Sequence, residues 1–191
     1  MSDARKKSPG RPRSEASHQA MLKAALELLS EVGFETMSIE AIATRAGVGK
    51  TTIYRRYSSK DELVADAIES IREEVLIPDT GNLWSDLDAL IENAAQITLT
   101  PLGRQAVAMI ISSASSNPGF AKIYWEKYLQ PRRQAFAIVI ERAKERNEIS
   151  IDLDSSLVFD TMSGIMLYAL IFRPTESWKA YIRRALSLLF K

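Results

Sequence analysis

The sequence predicts an all-α protein, in which a three-helix helix-turn-helix head precedes a helical-bundle body, with about nine or ten helices in all. Apolar residues recur at spacings of three and four along most of the chain, the pattern of amphipathic helices. No segment alternates between apolar and polar residues as a half-buried strand does. The chain has 191 residues, 46% of them apolar, which is enough for a head and a body that each bury a core.

The head is predicted over residues 15–75, after a disordered basic arm. Residues 1–14 combine Lys and Arg with Ser, Pro and Gly, a composition that predicts disorder. An apolar stripe from Met21 to Val32 predicts the first helix, and a short third helix is predicted over 50–57. Capping and breaking residues mark the other boundaries: Gly33 after the first helix, Ser38 and Gly47 around the second, and the Ser59-to-Glu62 capping box opening a fourth that runs to Pro78.

The body is predicted over residues 82–191, after a linker-like break at 78–82. Pro131 should kink or divide a long helix. The remaining helix starts follow capping or proline residues, namely Thr100-Pro101, Asn117-Pro118, Asp154 and Pro174-Thr175, the last of which opens a final helix over 178–190. Residues 157–172 are apolar on nearly every side, and a helix apolar all round must be covered all round. This predicts a homodimer through the last two helices.

Charge and composition reduce the number of functional classes to which the chain can belong. Residues 1–60 carry 11 Lys and Arg against 6 Asp and Glu, whereas the remainder carries 14 against 18, so a basic head that meets a polyanion precedes an acidic body. There is no cysteine, and the one histidine, His18, is expected to be a solvated surface residue. We therefore expect no catalytic residue, no metal and no cofactor. The longest apolar run, 165–172, is too short for a membrane, and no signal peptide is evident, which predicts a soluble cytoplasmic protein.

The helix-turn-helix is predicted over about 38–57. Two short helices meet at Gly47, and the outward side of the second presents hydrogen-bonding side chains: Lys50, Thr51, Thr52, Tyr54, Arg55 and Arg56. An α-helix fits the major groove, where Lys and Arg bind guanine edges and hydroxyl groups bind phosphates. Lys60, in the first turn of the next helix, is predicted to bind a phosphate because the helix N-terminus already favours an anion. The predicted partner is double-stranded DNA.

The chain from Met21 to Lys60 resembles the DNA-binding domain of the TetR family, over roughly residues 15–75. The residues that carry the resemblance are Ala24-Ala25, Leu28-Leu29, Gly33-Phe34, Ser38-Ile39, Ile42-Ala43, Ala46-Gly47-Val48, Tyr54, Tyr57 and Lys60-Asp61-Glu62-Leu63. The resemblance implies that the DNA contacts are Ser38, Lys50, Thr51, Thr52, Tyr54, Arg55, Arg56 and Lys60. Where the family more often has Phe, this chain has Tyr57, which should fill the same core position.

The body resembles the family's ligand-binding domain, on Leu102-Gly103-Arg104, Pro131-Arg132-Arg133, and 147–149 with 152–154. The resemblance implies a cavity for a small-molecule effector that remains unidentified, and a homodimer through the last two helices. Aromatic and methionine side chains of the body could line that cavity, namely Met109, Trp125, Tyr128, Met162 and Tyr168. The predicted function is a sequence-specific regulator, a repressor released from a palindromic operator by its effector.

Several alternatives stay open. Arg11 and Arg13 flank a proline and either lie in a minor groove or belong to a solubilising tail. The regulator could be an activator or answer to a protein partner, and a non-specific architectural DNA protein or an enzyme are further alternatives. A phosphate-binding loop at Gly49-Lys50-Thr51 is disfavoured, because position 44 is Thr rather than Gly and no strand precedes it.

Overall fold

The computed structural model describes residues 11–72 and 77–190, with the side chains of 11–14 left outside the description. These residues form ten α-helices and one π-helical turn (Trp125–Leu129): α1 (Arg11–Thr36), α2 (Ile39–Ala46), α3 (Lys50–Tyr54), α4 (Lys60–Ser70), α5 (Leu83–Thr98), α6 (Pro101–Ser116), α7 (Pro118–Tyr124), α8 (Gln130–Glu145), α9 (Ser155–Phe172) and α10 (Trp178–Leu186). The all-α prediction is confirmed, with no strand in either described range.

The chain divides into two compact units, Met1–Ile71 and Arg72–Lys191. In the first unit, α1 packs against α2 and α4. Their apolar faces form its core, with Met21, Leu29, Ile42, Ile53, Leu63 and Ile68 among the fully buried side chains. The α1 helix starts at Arg11, inside the segment predicted as a disordered arm; residues 1–10 and the side chains of Arg11 and Arg13 lie outside the description.

Two predicted breaks in the first unit come from glycines with positive φ. Gly33 has φ 77° and ψ 166°, which interrupts α1 with a kink three residues before its end. Gly47 has φ 64° and caps α2, where its N–H donates to the carbonyls of Ala43 and Thr44. Only glycine adopts such angles without steric cost. The two helices that follow the breaks are thereby set at fixed angles.

Side-chain caps start most of the helices as predicted. The oxygens of Ser38, Ser59, Thr100, Asn117 and Asp154 all accept backbone N–H groups in the first turn of the next helix. The last helix differs from the prediction, because its cap is Ser177 rather than Pro174-Thr175, and it ends at Leu186. The pattern also predicts α3 to residue 57 and α4 to Pro78, but the structure ends them at Tyr54 and Ser70. A periodic apolar pattern continues through turns that pack on the same core, so it overestimates helix length.

The second unit has one principal core, built by α5, α8, α9 and α10. Its members include Leu87, Ile91, Val139, Ile140, Phe159, Ile182 and Leu186. Leu186 and Ile182 are fully buried within this one protomer. Ile182 and Leu186 therefore pack inside their own unit and are not available for a dimer contact, whereas the homodimer through the last two helices stays a prediction.

Pro131 neither divides the helix nor ends it. The π-helical turn comes immediately before α8, and within it the N–H of Gln130 donates to the carbonyl of Trp125, five residues earlier. In a regular helix the Pro131 ring would collide with the carbonyl four residues back. We infer that the wider turn moves this carbonyl aside, so that α7 continues into α8.

The α9 helix is long and apolar enough to cross a membrane by length and composition alone. The sequence expectation considered only the uninterrupted apolar run of eight residues. The whole helix is 18 residues long and has only one charged side chain, Asp160. Core helices of water-soluble proteins pass the same test, and Val158, Phe159 and Met162 lie in the core. Its exposed apolar residues, named here the α9 face, are Leu157, Tyr168, Ile171 and Phe172.

The segment 78–83 is held against the end of α8 by a cluster of charged residues, named here the clasp: Asp86, Arg142, Arg146 and Glu148. Asp86 is fully buried and accepts two hydrogen bonds from Thr80, from its N–H at 2.8 Å and its hydroxyl at 2.7 Å. Arg146 lies 3.8 Å from Asp86 and donates to Glu148, which accepts the N–H of Leu83. Arg142 donates to the carbonyl of Pro78. The predicted linker is thus tied to the second unit from Pro78 onward.

Candidate nucleic-acid interface

The helix-turn-helix is built by α2 and α3 around a small apolar contact. Ile42 and Ile53 are both fully buried, one on each helix. The N–H of Val48 donates to the carbonyl of Ala43, which closes the turn behind Gly47. Ser38 caps α2 by accepting the N–H of Ala41 at 3.1 Å. The cap, the turn and the two buried isoleucines all lie within the first unit, so the position of α3 against α2 is set by contacts of this unit itself.

The outward side of α3 is exposed to solvent. Tyr54 has 56% of its surface exposed. The other predicted contacts in α3 and the turn after it are also exposed, except that Thr52 is half-buried: Lys50, Thr51, Thr52, Arg55 and Arg56. Because α3 ends at Tyr54, both arginines lie in the turn that follows it. We name these six residues the α3 face, and it can donate hydrogen bonds from cationic groups and from hydroxyls.

Lys50 is paired with a carboxylate of the neighbouring helix. Its Nζ donates to Oε1 of Glu40 at 2.7 Å, and both side chains are more than half exposed. The hydrogen bond and the charge of Lys50 lower the pKa of Glu40, and the same interaction with Glu40 raises the pKa of Lys50. Glu40 is not among the residues predicted from the sequence, although the capping pattern places it in the first turn of α2.

Lys60 lies at the start of α4, as predicted, but its ammonium turns back to the end of α1. Its Nζ donates to the carbonyls of Phe34 at 2.7 Å and Met37 at 3.0 Å, and it lies 4.1 Å from the centre of the Phe34 ring. A lysine ammonium has three protons, and these contacts use two of them. Lys60 therefore joins α4 to the connection between α1 and α2.

Three side chains, one from α1, one from α4 and one from the segment between α3 and α4, form a hydrogen-bonded series. Tyr57 is 4% exposed, which places its ring in the core as predicted. Its hydroxyl donates to Asp66 on α4 at 2.6 Å and lies 2.7 Å from Nε2 of His18 on α1. Burial and Asp66 raise the pKa of Tyr57, so the hydroxyl stays protonated. The expectation of a solvated His18 is wrong, because the hydroxyl that distinguishes Tyr57 from phenylalanine gives this imidazole a partner.

We expect Tyr57→Phe to lower the free energy of unfolding by about 1–2 kcal/mol, because it leaves His18 and Asp66 without the hydroxyl between them. Urea unfolding followed by circular dichroism measures the change. Tyr54→Phe is the matched control, since it removes a hydroxyl from an exposed ring and should change stability little. Equal stability of the two variants would show that the hydrogen bonds of Tyr57 with His18 and Asp66 do not stabilise the fold.

The five predicted effector residues do not share one environment. Met109 and Met162 are buried, whereas Tyr168 is 53% exposed on the α9 face, and Trp125 and Tyr128 lie in the π-helical turn. An open cavity of about 530 Å³ lies elsewhere in the second unit and is lined by Lys144, Asn147, Glu148, Ile149, Ser150, Ile151 and Phe190. None of the five lines this cavity. Their assignment to an effector site stays a prediction.

Two family models match the chain. The model described as "Bacterial regulatory proteins, tetR family" matches residues 21–67, and the one described as "Tetracyclin repressor-like, C-terminal domain" matches residues 77–189. The first covers α2 and α3 completely, together with most of α1 and of α4. The second covers α5 to α10, so the two matches account for most of the described chain.

Individual proteins agree with these models. An uncharacterized HTH-type transcriptional regulator of Bacillus subtilis (strain 168), YdeS, is 32% identical over 95% of this chain and 92% of its own length. The DNA-binding transcriptional repressor TetR of Mycobacteroides abscessus is 30% identical over 83% of this chain and 84% of its own. The crystal structure of the TetR family transcription regulator SCO0332 has a TM-score of 0.69 and 27% identity, covering 90% of this chain and 97% of that one.

Proposed function

This chain belongs to the TetR family of helix-turn-helix transcriptional regulators, and from that premise we propose that it is a cytoplasmic repressor that binds a palindromic operator as a homodimer and leaves it when a small molecule binds the second unit. The observation that carries the proposal is the α3 face, a fixed helix that exposes cations and hydroxyls. The relative in Mycobacteroides abscessus is a DNA-binding transcriptional repressor, which supports repression.

The proposed DNA contacts fall into two groups. Lys50 and Arg55 are proposed to bind base edges in the major groove, where guanine offers two acceptors to a cation. Tyr54, Thr51, Thr52, Arg56 and Ser38 are proposed to bind the backbone, which fixes the position of the helix but carries no sequence information. Lys60 keeps one ammonium proton for a phosphate oxygen, in addition to its two bonds to carbonyls.

The α9 face supports the dimer. Tyr168 and Phe172 form an aromatic pair with ring centres 4.8 Å apart, and the Tyr181 ring of α10 stacks on Tyr168 at 6.4 Å. With Ile171 beside them, these residues expose a contiguous apolar patch that a second copy would remove from water. We therefore propose that α9 provides most of the dimer contact and that α10 contributes its Tyr181 edge.

The effector is proposed to be small and largely apolar, because the predicted lining residues are aromatic or sulfur-containing. The effector must bind the DNA-free state more tightly than the DNA-bound state, since an effector with equal affinity for both would not shift the equilibrium between them. Addition of such a molecule to the operator complex should release the DNA. Repression rather than activation is tested by placing the operator within a promoter and measuring transcription.

Selection of bound sequences from a random DNA pool tests the proposed function. We expect a palindrome whose half-sites lie about one helical turn apart, or a multiple of it, because two α3 helices must enter successive major grooves. A footprint of undefined length with no enriched sequence would instead indicate an architectural DNA protein.

On the selected operator, Tyr54→Ala should weaken binding to all sequences by a similar factor, with little change in the salt dependence, because a neutral hydroxyl displaces no counterion from the phosphate that it contacts. Arg55→Ala should alter the preferred sequence and weaken operator binding by about 1–3 kcal/mol for each half-site. Fluorescence anisotropy with labelled operator and random DNA measures both. Binding by the Tyr54 variant that equals the parent's at every salt concentration would contradict the proposed docking of α3.

A further inference from the structure

We propose that Glu40 is a specificity-determining residue of this interface. Its ion pair with Lys50 disfavours binding of Lys50 to a phosphate but still allows Lys50 to donate a hydrogen bond to a base edge. The inference rests on the proposed DNA binding by the α3 face. Glu40 and Lys50 lie at the first turns of α2 and α3, and their side chains meet at 2.7 Å. A carboxylate is thus bound to the first cation of the helix that is proposed to enter the groove.

The effect of this carboxylate depends on the charge of what Lys50 meets. A phosphate is an anion, so a phosphate bound to Lys50 would lie against Glu40 and be repelled by it. If Lys50 instead leaves Glu40 to bind a phosphate, it exchanges one anionic partner for another and gains little binding free energy. On random DNA, where backbone charge supplies nearly all of the affinity, Lys50 should therefore contribute little.

A guanine edge differs because it is neutral. The ammonium of Lys50 has three protons, so it can donate to guanine O6 or N7 while it keeps its bond to Glu40. The carboxylate also limits where the ammonium can lie, which favours one base position over others. Glu40 thereby lowers affinity for random DNA while it leaves affinity for the operator nearly unchanged.

Glu40→Gln tests this in the full-length protein, on operator and random DNA over a range of salt concentrations. We expect tighter binding to random DNA, with a slope of log affinity against log salt that steepens by about 0.9 for each head, the contribution of one phosphate contact. Operator affinity should change much less. The ratio of the two affinities should fall about fivefold or more, the lower end of what one base contact contributes to discrimination.

Two controls separate this role from a general loss of negative charge. Glu31→Gln removes the same charge from a pair of similar length, the 2.8 Å contact with Arg45 between α1 and α2, and should leave the ratio unchanged. In a Lys50→Met background, Glu40→Gln should have no further effect, because Glu40 acts through Lys50. Circular dichroism of each variant checks that the fold is retained.

The outcomes are distinguishable from failure of the proposed function. If the parent protein selects no operator, the proposed function fails and this inference fails with it. If the parent discriminates but Glu40→Gln leaves the ratio unchanged, the inference alone is wrong. It is also wrong if Glu31→Gln lowers the ratio equally, or if the effect of Glu40→Gln persists without Lys50.

Discussion

A chain carrying Tyr168→Glu and Ile171→Glu should remain folded, sediment as a monomer and lose operator affinity by about 10² to 10⁴-fold, although no proposed DNA contact is altered. Both side chains are more than half exposed within the protomer, so the charges should not disturb its core. In a dimer they would be buried against a second copy of the same face, and an unpaired buried charge is strongly unfavourable. The loss of affinity follows because the second helix-turn-helix of a dimer binds at a high effective concentration.

Analytical ultracentrifugation and anisotropy with labelled operator measure the two effects. Ile151→Glu is the control, since it adds a charge at a residue that is 71% exposed and lies outside α9. It should leave the sedimentation coefficient unchanged. A double variant that still sediments as a dimer would place the contact elsewhere. If the parent protein binds lipid vesicles and the double variant does not, the α9 face would instead contact a membrane surface.

The second large effect is expected in the clasp. Asp86→Ala should lower the free energy of unfolding by about 3 kcal/mol, at the lower end of the cost of breaking a buried ion pair, because Arg146 is partly exposed. The variant leaves both donors of Thr80 without their acceptor and leaves Arg146 without its buried carboxylate. Asp86→Asn keeps an oxygen that can accept the hydrogen bonds of Thr80, so it should lower the free energy of unfolding less than Asp86→Ala does.

Urea unfolding at one fixed protein concentration measures these changes, because the apparent stability of a dimer depends on concentration. Asp152→Ala, at an exposed position, is the matched control and should be within about 0.5 kcal/mol of the parent. A similar result for Asp86→Ala would mean that the clasp does not stabilise the second unit.

How much the sequence could predict depends on the range of the interaction concerned. Caps are local, since the oxygen of Ser38 or Thr100 needs only the next three residues, and these starts were predicted correctly. The turn at Gly47 is local in the same way. The identity of the α3 face follows from spacing along one short helix. These features needed no knowledge of tertiary contacts.

Several of the features that the sequence did not predict join distant residues. His18 and Tyr57 are 39 positions apart, and Leu83 and Glu148 are 65 apart. Nothing in the neighbourhood of His18 indicates that a hydroxyl will reach it. Similarly, the buried stripe of α10 has the same spacing whether it packs on its own unit or on a partner, so the pattern could not decide between the two.

The π-helical turn before α8 has a consequence for the gene. Such a turn accommodates one residue more than an α-helix would hold in the same length. Deletion of a single codon within Trp125–Leu129 would therefore leave a regular α-helix of the same length, with the downstream residues on the faces that they now occupy. Phe136, Val139, Ile140 and Ala143 would stay in their core. The ring of Pro131 would then meet the carbonyl four residues back, so we expect a one-residue deletion in this stretch to be tolerated only where Pro131 is replaced as well.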